Sequence, residues 1–236
     1  MPKPNENKKY FDKKALWVLK VKPVGGNIIM TRYGEYSTLR IIAGTARGRT
    51  IESPKGHDTR PTLDRVREAI FGAIQFDVEN ACVLDLFAGS GALGLEALSR
   101  GARCAVFCDS SKDACLTVEK NLKELELYGR SLVVCADALM TLERFANEKR
   151  EFSLVFLDPP YASDLYKSAI EKLVLLGLLA DGCILILEHD KRREPDIAIQ
   201  GLEKLRQHRY GDVAVTKYIY SSEKADASST QTEAEA

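Results

Sequence analysis

The chain is poor in the residues that build metal sites and disulfide frameworks. Its 236 residues include three histidines and six cysteines, with no CxxC pair and no histidine near a cysteine at metal-ligand spacing. Several cysteines stand in apolar runs, where Cys behaves as a small hydrophobe. We therefore expect reduced thiols in a cytoplasmic protein, without a metal site. The three histidines are isolated from one another, so the sequence gives no sign of a nucleophile triad.

Long apolar runs are also missing. The stretch "ALWVLKV" (15–21) is short and is interrupted by Lys20, which argues against both a membrane span and a signal peptide. The formal net charge is zero, but residues 1–75 carry 15 Lys/Arg against 7 Asp/Glu, and the remainder carries 19 against 27. This asymmetry favours a phosphate-rich partner on one side of the molecule, although a solvated charged surface gives the same pattern.

Four regions differ in composition. Residues 1–38 show no convincing periodicity and are interpreted as a poorly ordered extension. Residues 221–236 contain no aromatic or large aliphatic side chain, which predicts a disordered tail. Residues 39–60 predict a small β unit, in which "LRIIAG" and "GRTIES" are joined by a Gly/Arg turn. Residues 61–220 are left as the main domain.

The main domain alternates between helical and strand patterns. It begins with a helix in "RPTLDRVREAIFGAI" (60–74), for which Thr62 is the predicted N-cap. Apolar strand-like runs then alternate with helices, which predicts a doubly wound, mostly parallel Rossmann-like α/β sheet covered on both faces. The turn in "RYGDVAV" predicts an antiparallel hairpin for the last two strands. The predicted strands are 82–87, 104–109, 131–137, 152–158, 183–188, 203–209 and 213–220, and the later helices are 90–100, 111–127, 138–147 and 163–176.

Four consecutive strands end in an aspartate, at the edge where such sheets bind ligands. These aspartates are Asp85, Asp109, Asp137 and Asp158. After the first of them, Gly89, Gly91 and Gly94 have the G-x-G-x-x-G spacing that NAD, FAD and nucleoside cofactors share.

The position of Asp85 separates these cofactors. A carboxylate four residues before the loop would repel a pyrophosphate by ~1 kcal/mol or more, whereas the amino group of S-adenosylmethionine would be attracted. Asp109 would then accept hydrogen bonds from the ribose hydroxyls, and Asp137 from the adenine amino group. Each acid, taken singly, could instead be a helix N-cap. The predicted cofactor is S-adenosylmethionine, and Phe87, Ala138 and Asp158 complete the cofactor set.

The motif Asp158-Pro159-Pro160-Tyr161 ends the fourth strand. Its prolines restrict the backbone, so the Asp158 carboxylate and the Pro159 carbonyl can present two fixed acceptors to the N–H bonds of a nucleobase amino group. The Tyr161 ring can stack on the base. A simple strand-terminating turn is the alternative. We predict Asp158, Pro159 and Tyr161 as the catalytic residues.

These motifs resemble those of a known family. The DPPY motif and the glycine loop are similar to motifs IV and I of amino-directed nucleic-acid methyltransferases. More narrowly, "RIIAGTARGR" (40–49), "TRPTLDRVREAIF" (59–71) and "LDLFAGSGALGLEALSRGA" (84–102) resemble the RsmD family. The resemblance implies a seven-stranded methyltransferase sheet and methylation of a guanine N2 amino group in 16S ribosomal RNA, within the small subunit or its assembly intermediate. We expect a monomer.

An RNA substrate gives the basic residues a function. The predicted substrate-binding residues are Arg47, Arg49, Arg60, Thr62, Arg65 and Tyr161, and Arg67 belongs to the same basic group. Arg65 and Arg67 could equally pair with Asp64 or Glu68 on the helix surface.

Three other functions remain open at this point. The DPPY motif also permits a DNA adenine-N6 methyltransferase. The glycine spacing alone permits an NAD(P)-dependent oxidoreductase. The third is a non-catalytic RNA-binding module on a methyltransferase scaffold, which intact Asp158 and Tyr161 argue against.

Overall fold

The computed structural model describes residues 39–54, 61–160, 165–193 and 195–223, without the side chains of 61–63. The predicted extension 1–38 and most of the predicted tail lie outside these ranges, as do Arg60 and Tyr161. The division of the chain into four regions therefore stays a prediction. Among the described residues, no helix combines the length and the apolar character that crossing a membrane requires.

The predicted helices and strands of the main domain are present, with ends that shift by a few residues. The largest shift is at the fifth strand, which begins at Leu179 and continues to Asp190. The helices are α1 (Pro61–Ala73), α2 (Ala92–Ser99), α3 (Lys112–Glu124), α4 (Ala138–Asn147) and α5 (Leu165–Leu175), with a 3₁₀ turn at Tyr128–Arg130. The strands are β1 (Cys82–Asp85), β2 (Cys104–Asp109), β3 (Ser131–Cys135), β4 (Phe152–Leu157), β5 (Leu179–Asp190), β6 (Leu202–Tyr210) and β7 (Val213–Tyr220).

The seven strands form one sheet in the order β3-β2-β1-β4-β5-β7-β6. The first five are parallel, and β7 pairs antiparallel with both β5 and β6. The strand order reverses between β1 and β4, which creates the crevice where sheets of this kind bind ligands. The predicted doubly wound, seven-stranded fold with an antiparallel hairpin is confirmed.

Helices cover both faces of this sheet. On one face, α1, α2 and α3 bury residues such as Phe71, Leu98 and Val118 against Phe107 and Phe156. On the other face, α4 and α5 form a second cluster with the alternate residues of the same strands. Because both faces are buried, the central strands are continuous apolar runs, which is why the sequence pattern locates them well.

Helix α1 differs from its prediction at two residues. It begins at Pro61, so Thr62 lies inside the helix and is not its N-cap. A proline fits the first helical position because its missing N–H would be unpaired there in any case. Arg67 is only 4% exposed, and its Nη2 donates to the Arg40 carbonyl and to Asp64 Oδ1, so it is a structural residue and not part of an RNA surface.

The predicted small β unit is less regular than expected. Within residues 39–54 it has a single antiparallel bridge, between Arg40 and Thr50. It is fastened to α2 by Glu96, whose fully buried carboxylate accepts hydrogen bonds from Ile42 N (2.7 Å) and Ala43 N (2.9 Å). Main-domain side chains therefore accept some of the unit's backbone hydrogen bonds, while others, such as Ile41 N to the Arg49 carbonyl, are internal to it.

Candidate active site

The glycine loop between β1 and α2 is held over the ends of the neighbouring strands. Leu86 N donates to the Phe156 carbonyl (3.2 Å) and Ala88 N donates to the Cys108 carbonyl (3.0 Å). These two bonds continue the strand pairing on both sides of β1 beyond its last residue. The loop is thus fixed at the reversal point of the sheet before any ligand binds.

The three glycines of the loop meet different surroundings. At Gly89, with φ +54°, an added Cβ would contact no described residue within 4 Å. At Gly91, with φ +77°, it would lie 3.1 Å from Val118, and at Gly94 it would lie 2.3 Å from the Phe107 ring. Gly94 therefore allows α2 to approach the sheet, Gly91 allows the turn, and Gly89 leaves open backbone that a ligand can approach.

Asp85 is buried beneath this loop. It is 2% exposed, and its Oδ2 accepts a hydrogen bond from Gly94 N (3.0 Å). Burial raises the pKa of this carboxyl to about 7, with repulsion from Asp109 adding to the increase and the Gly94 hydrogen bond opposing it. The structure gives Asp85 a supporting role for α2, and its contact with a cofactor amino group stays a prediction.

Asp109 connects the loop to α3. Its Oδ2 accepts from Gly89 N (2.8 Å) and its Oδ1 from Ser111 N (2.8 Å). The N-cap of α3 is Ser111, so Asp109 is not the cap. A carboxylate has about four acceptor sites, so two backbone bonds leave capacity for the predicted ribose hydroxyls.

Asp137 is a helix cap, as its alternative interpretation stated. Its Oδ1 accepts from Met140 N (3.0 Å) at the start of α4. The side chain is exposed, so its second oxygen remains accessible for the predicted adenine contact. Next to it, Ala138 is buried in the first turn, and Phe87 is half-buried against the cluster beneath α4 and α5.

Asp158 lies in the most acidic part of the site. It follows the end of β4, and the pairing of Leu157 with Leu187 brings it next to Glu188 on β5. Its side chain keeps a solvent-exposed side, with protein around the remainder. Desolvation by that protein, followed by repulsion from Glu188 and Asp85, raises the pKa of Asp158 well above its usual range.

Glu188 was not predicted as a site residue, because the prediction included only aspartates at strand ends. The apolar run "CILILE" also ends in an acid, as the other runs do. Glu188 is 6% exposed and lies on the same face of the sheet as Asp158. Two buried carboxyl groups, Asp85 and Glu188, thus converge with that of Asp158 at the crevice.

The proline pair after Asp158 is confirmed as a sharp end to β4. Pro159 is buried and Pro160 is exposed, and no hydrogen bond from a described residue reaches the Asp158 carboxylate. Tyr161 lies outside the described residues, so its predicted stacking role stays a prediction.

The predicted substrate-binding arginines fall into two places. Arg47 and Arg49 are exposed on the turn that binds the end of α2, where Thr45 N donates to the Ser99 carbonyl (2.8 Å). That end of α2 is opposite the glycine loop, and Arg49 also faces Glu126 at 4.0 Å. The structure therefore does not bring this pair to the acids. Arg65 is exposed on α1.

These residues fit a cofactor that contains a nucleoside and a cation. The open backbone at Gly89 admits a close approach, and Asp109 and Asp137 can accept from hydroxyl and amino groups. The clustered carboxyls around Asp85 and Asp158 disfavour an added negative charge such as a pyrophosphate and favour a positive one.

The chain is similar to a known family, to named relatives and to solved structures. The family described as "Conserved hypothetical protein 95" matches residues 39–219. YlbH of Bacillus subtilis, provisionally named an rRNA methyltransferase, is 37% identical over 180 residues, which cover 76% of this chain and 98% of that protein. "Ribosomal RNA small subunit methyltransferase D" of Escherichia coli K12 is 39% identical over 152 residues, which cover 64% of this chain and 75% of that protein. The solved structure of yhhF from Escherichia coli is similar with a TM-score of 0.70 at 32% identity, and covers 78% of this chain and 99% of its own.

Proposed function

The chain belongs to the family described as "Conserved hypothetical protein 95", and from that premise we propose that it methylates small-subunit ribosomal RNA. The reaction is transfer of the methyl group of S-adenosylmethionine to the exocyclic N2 amino group of a guanine. The observation that carries this proposal is the position of Asp158-Pro159-Pro160, directly after β4 and beside the glycine loop. The name of the Escherichia coli relative supports the same substrate class.

Several residues are available to hold the cofactor. Asp109 would accept from the ribose hydroxyls and Asp137 from the adenine amino group, while Gly89 offers open backbone. Phe87 and Ala138 would border the adenine. When bound, S-adenosylmethionine supplies a methyl group on a sulfonium sulfur that leaves as a neutral thioether.

The chain's own contribution to transfer is positioning and charge. Asp158 and the Pro159 carbonyl accept the N–H bonds of the guanine amino group, which directs the nitrogen lone pair toward the methyl carbon. Transfer would join the nitrogen to the methyl carbon as the carbon–sulfur bond breaks, and would leave one N–H proton to be removed from the amino group. The raised pKa of Asp158 suits it to receive that proton, because a stronger base accepts it more readily.

The setting of the reaction follows from its substrate. We place the protein in the cytoplasm, acting as a monomer on the small subunit or its assembly intermediate. The free thiols described in the structure are consistent with a reducing compartment.

Product analysis tests the proposal. Purified protein is incubated with isotopically labelled S-adenosylmethionine and, in separate reactions, with naked 16S rRNA, isolated small subunits and DNA. We expect the label in N2-methylguanosine from RNA. The modified nucleotide is then mapped by comparing ribosomal RNA from cells with and without the protein.

Two outcomes would replace the proposal with the alternatives stated above. Label confined to N6-methyladenine in DNA would identify a DNA methyltransferase. Tight NAD(P) binding in calorimetry, with no binding of S-adenosylhomocysteine, would identify an oxidoreductase.

A further inference from the structure

A groove separates α1 from the β6–β7 hairpin on the face of the sheet that α1 covers. It has a volume of about 300 Å³, and its walls include Ala69 and Ala73 of α1, Ile186 of β5, and Arg206, His208 and Tyr210 of β6. Its floor is apolar, since Ile186 is 3% exposed, whereas Arg206 and His208 are exposed at its rim. None of these six residues has a place in the site described above.

Strand register connects this groove to the acid edge. Glu188, which neighbours Asp158, pairs with Val215 on β7, and Val215 pairs with His208 on β6. Asp158, Glu188, Val215 and His208 therefore form one row across four adjacent strands. Neighbouring strands lie about 4.8 Å apart, so His208 is about 14 Å from Asp158, a distance that a few nucleotides can span.

Helix α1 carries a cation on the same side as its two groove residues. Arg65, Ala69 and Ala73 follow each other at four-residue spacing and so share one side of the helix. Arg65 is exposed and is the N-terminal member of this row. Within the described residues, neither Arg65 nor Arg206 makes an ion pair. Lys217, by contrast, is neutralised by Asp77 Oδ2 at 2.8 Å.

The rim has the chemistry of a single-stranded nucleic-acid track. The rings of His208 and Tyr210 are 6.3 Å apart and tilted by 39°, and an aromatic ring of this kind can stack with a base of any sequence. Two guanidinium groups without an ion pair among the described residues suit phosphates, which they can bind bidentately. An apolar protein helix would fill the floor but would leave these cations without a counter-charge.

We propose that this groove binds the single-stranded segment of ribosomal RNA next to the target guanine and leads that guanine to Asp158. The inference rests on the proposed function and deepens it. The groove sets the direction from which the strand enters, while the acid edge performs the transfer.

The RNA affinity of a matched set of variants tests whether the groove binds RNA. Affinity for an in vitro transcript containing the mapped guanine is measured at several salt concentrations for the wild type, His208→Ala, His208→Phe and Arg206→Gln. The control is Arg144→Gln, which removes a cation from α4 on the opposite face of the sheet. We expect about a tenfold loss for His208→Ala and recovery in His208→Phe, since a ring is restored. Arg206→Gln should reduce the slope of log affinity against log salt by about one. Affinity for S-adenosylhomocysteine should be unchanged throughout.

A cross-linking experiment identifies the occupant directly. A photoreactive amino acid at position 208 is irradiated with isolated small subunits, and the adduct is mapped. An adduct to RNA beside the methylated guanine supports the proposal, and an adduct to a ribosomal protein overturns it. Groove variants that bind RNA as tightly as Arg144→Gln also overturn it. N2-methylguanosine formation by the wild type is assayed in parallel. If the wild type forms this product but the groove does not bind RNA, only the groove proposal is wrong. If the product is absent, the proposed function is wrong.

Discussion

Asp109, at the end of β2, and Asp158, directly after β4, are the same residue type at the same edge of one sheet, and their surroundings are opposite. Asp109 accepts two backbone N–H bonds, from Gly89 and Ser111. Asp158 accepts none from the described residues and instead faces the negative charges of Glu188 and Asp85, which contribute to its raised pKa.

This difference separates binding from reaction. The two backbone bonds fix the Asp109 carboxylate before a ligand arrives, so little ordering entropy remains to be lost on binding. Asp158 keeps its acceptor capacity, and its environment disfavours the charged form until a donor or a cation approaches. Strongly perturbed carboxyls in crevices are typical of reacting groups. The β1–β3 half of the crevice is therefore interpreted as the cofactor half, and the β4–β5 half as the transfer half.

The largest effect should follow from truncating the transfer acid. We expect Asp158→Ala to lower kcat by about 10³-fold, because it removes an acceptor aimed at the reacting amino group. Affinity for S-adenosylhomocysteine should stay within a few-fold, as measured by calorimetry. Asp158→Asn keeps one acceptor oxygen and should lose less activity. If Asp158→Ala loses turnover and cofactor affinity equally, the division of the crevice into a cofactor half and a transfer half is wrong.

Truncating the binding acid should give the reverse pattern. We expect Asp109→Ala to weaken S-adenosylhomocysteine binding by about 100-fold, since charge-assisted bonds to two hydroxyls are lost and Gly89 N loses its acceptor. Asp113→Ala is the matched control, because it removes an exposed acid from the first turn of α3. If both variants bind the ligand as the wild type does, Asp109 has only a structural role.

Asp85, which lies beneath the glycine loop, should make the free energy of unfolding depend on pH. The folded-state pKa of Asp85, about 7, is above its ordinary value of 3.8, so the unfolded chain loses this proton first. The contribution of Asp85 to the free energy of unfolding therefore falls as pH rises from about 4 to about 7 and is constant above that range. Asp85→Asn can still accept from Gly94 N but does not ionise. We expect this variant to be more stable than the wild type at pH 8 by on the order of 4 kcal/mol, with no difference below about pH 4.

Denaturant unfolding across that pH range measures the effect, and cofactor affinity supplies the second half of the test. Parallel stability curves for Asp85→Asn and the wild type would contradict the raised pKa. If the carboxylate also receives the cofactor amino group, Asp85→Asn gains stability and loses affinity for S-adenosylhomocysteine at the same pH.

Sequence reasoning succeeded where one local pattern determines the structure. The run 104–109 predicted β2 without error, because a strand buried on both faces is apolar throughout and ends where a polar residue begins. The acids reached one edge because parallel strands all end there. Sequence reasoning failed where partners distant in sequence decide. Arg67 was predicted to lie on a surface, yet it is buried and donates a hydrogen bond to the carbonyl of Arg40, 27 residues earlier.

The groove could not be predicted for the same reason. Its walls come from α1 and from β5 and β6, which lie more than 100 residues after α1, and no single segment carries a signature of it. The strand β6 has exposed residues at most positions, so its pattern predicts only an edge strand. A binding surface appears only when the hairpin folds back beside α1.

The smallest effect concerns Asp137, where a cap and a ligand contact can be separated. Asp137→Ala loses the bond to Met140 N, which should lower the free energy of unfolding by about 1 kcal/mol. Asp137→Ser keeps a capping oxygen and should keep most of that stability, but its shorter side chain cannot extend beyond the helix start to an adenine. If Asp137 belongs to the cofactor half, both variants lose several-fold in S-adenosylhomocysteine affinity. If it is a cap alone, Asp137→Ser binds as the wild type does, and the cofactor half is limited to Asp109 and the glycine loop.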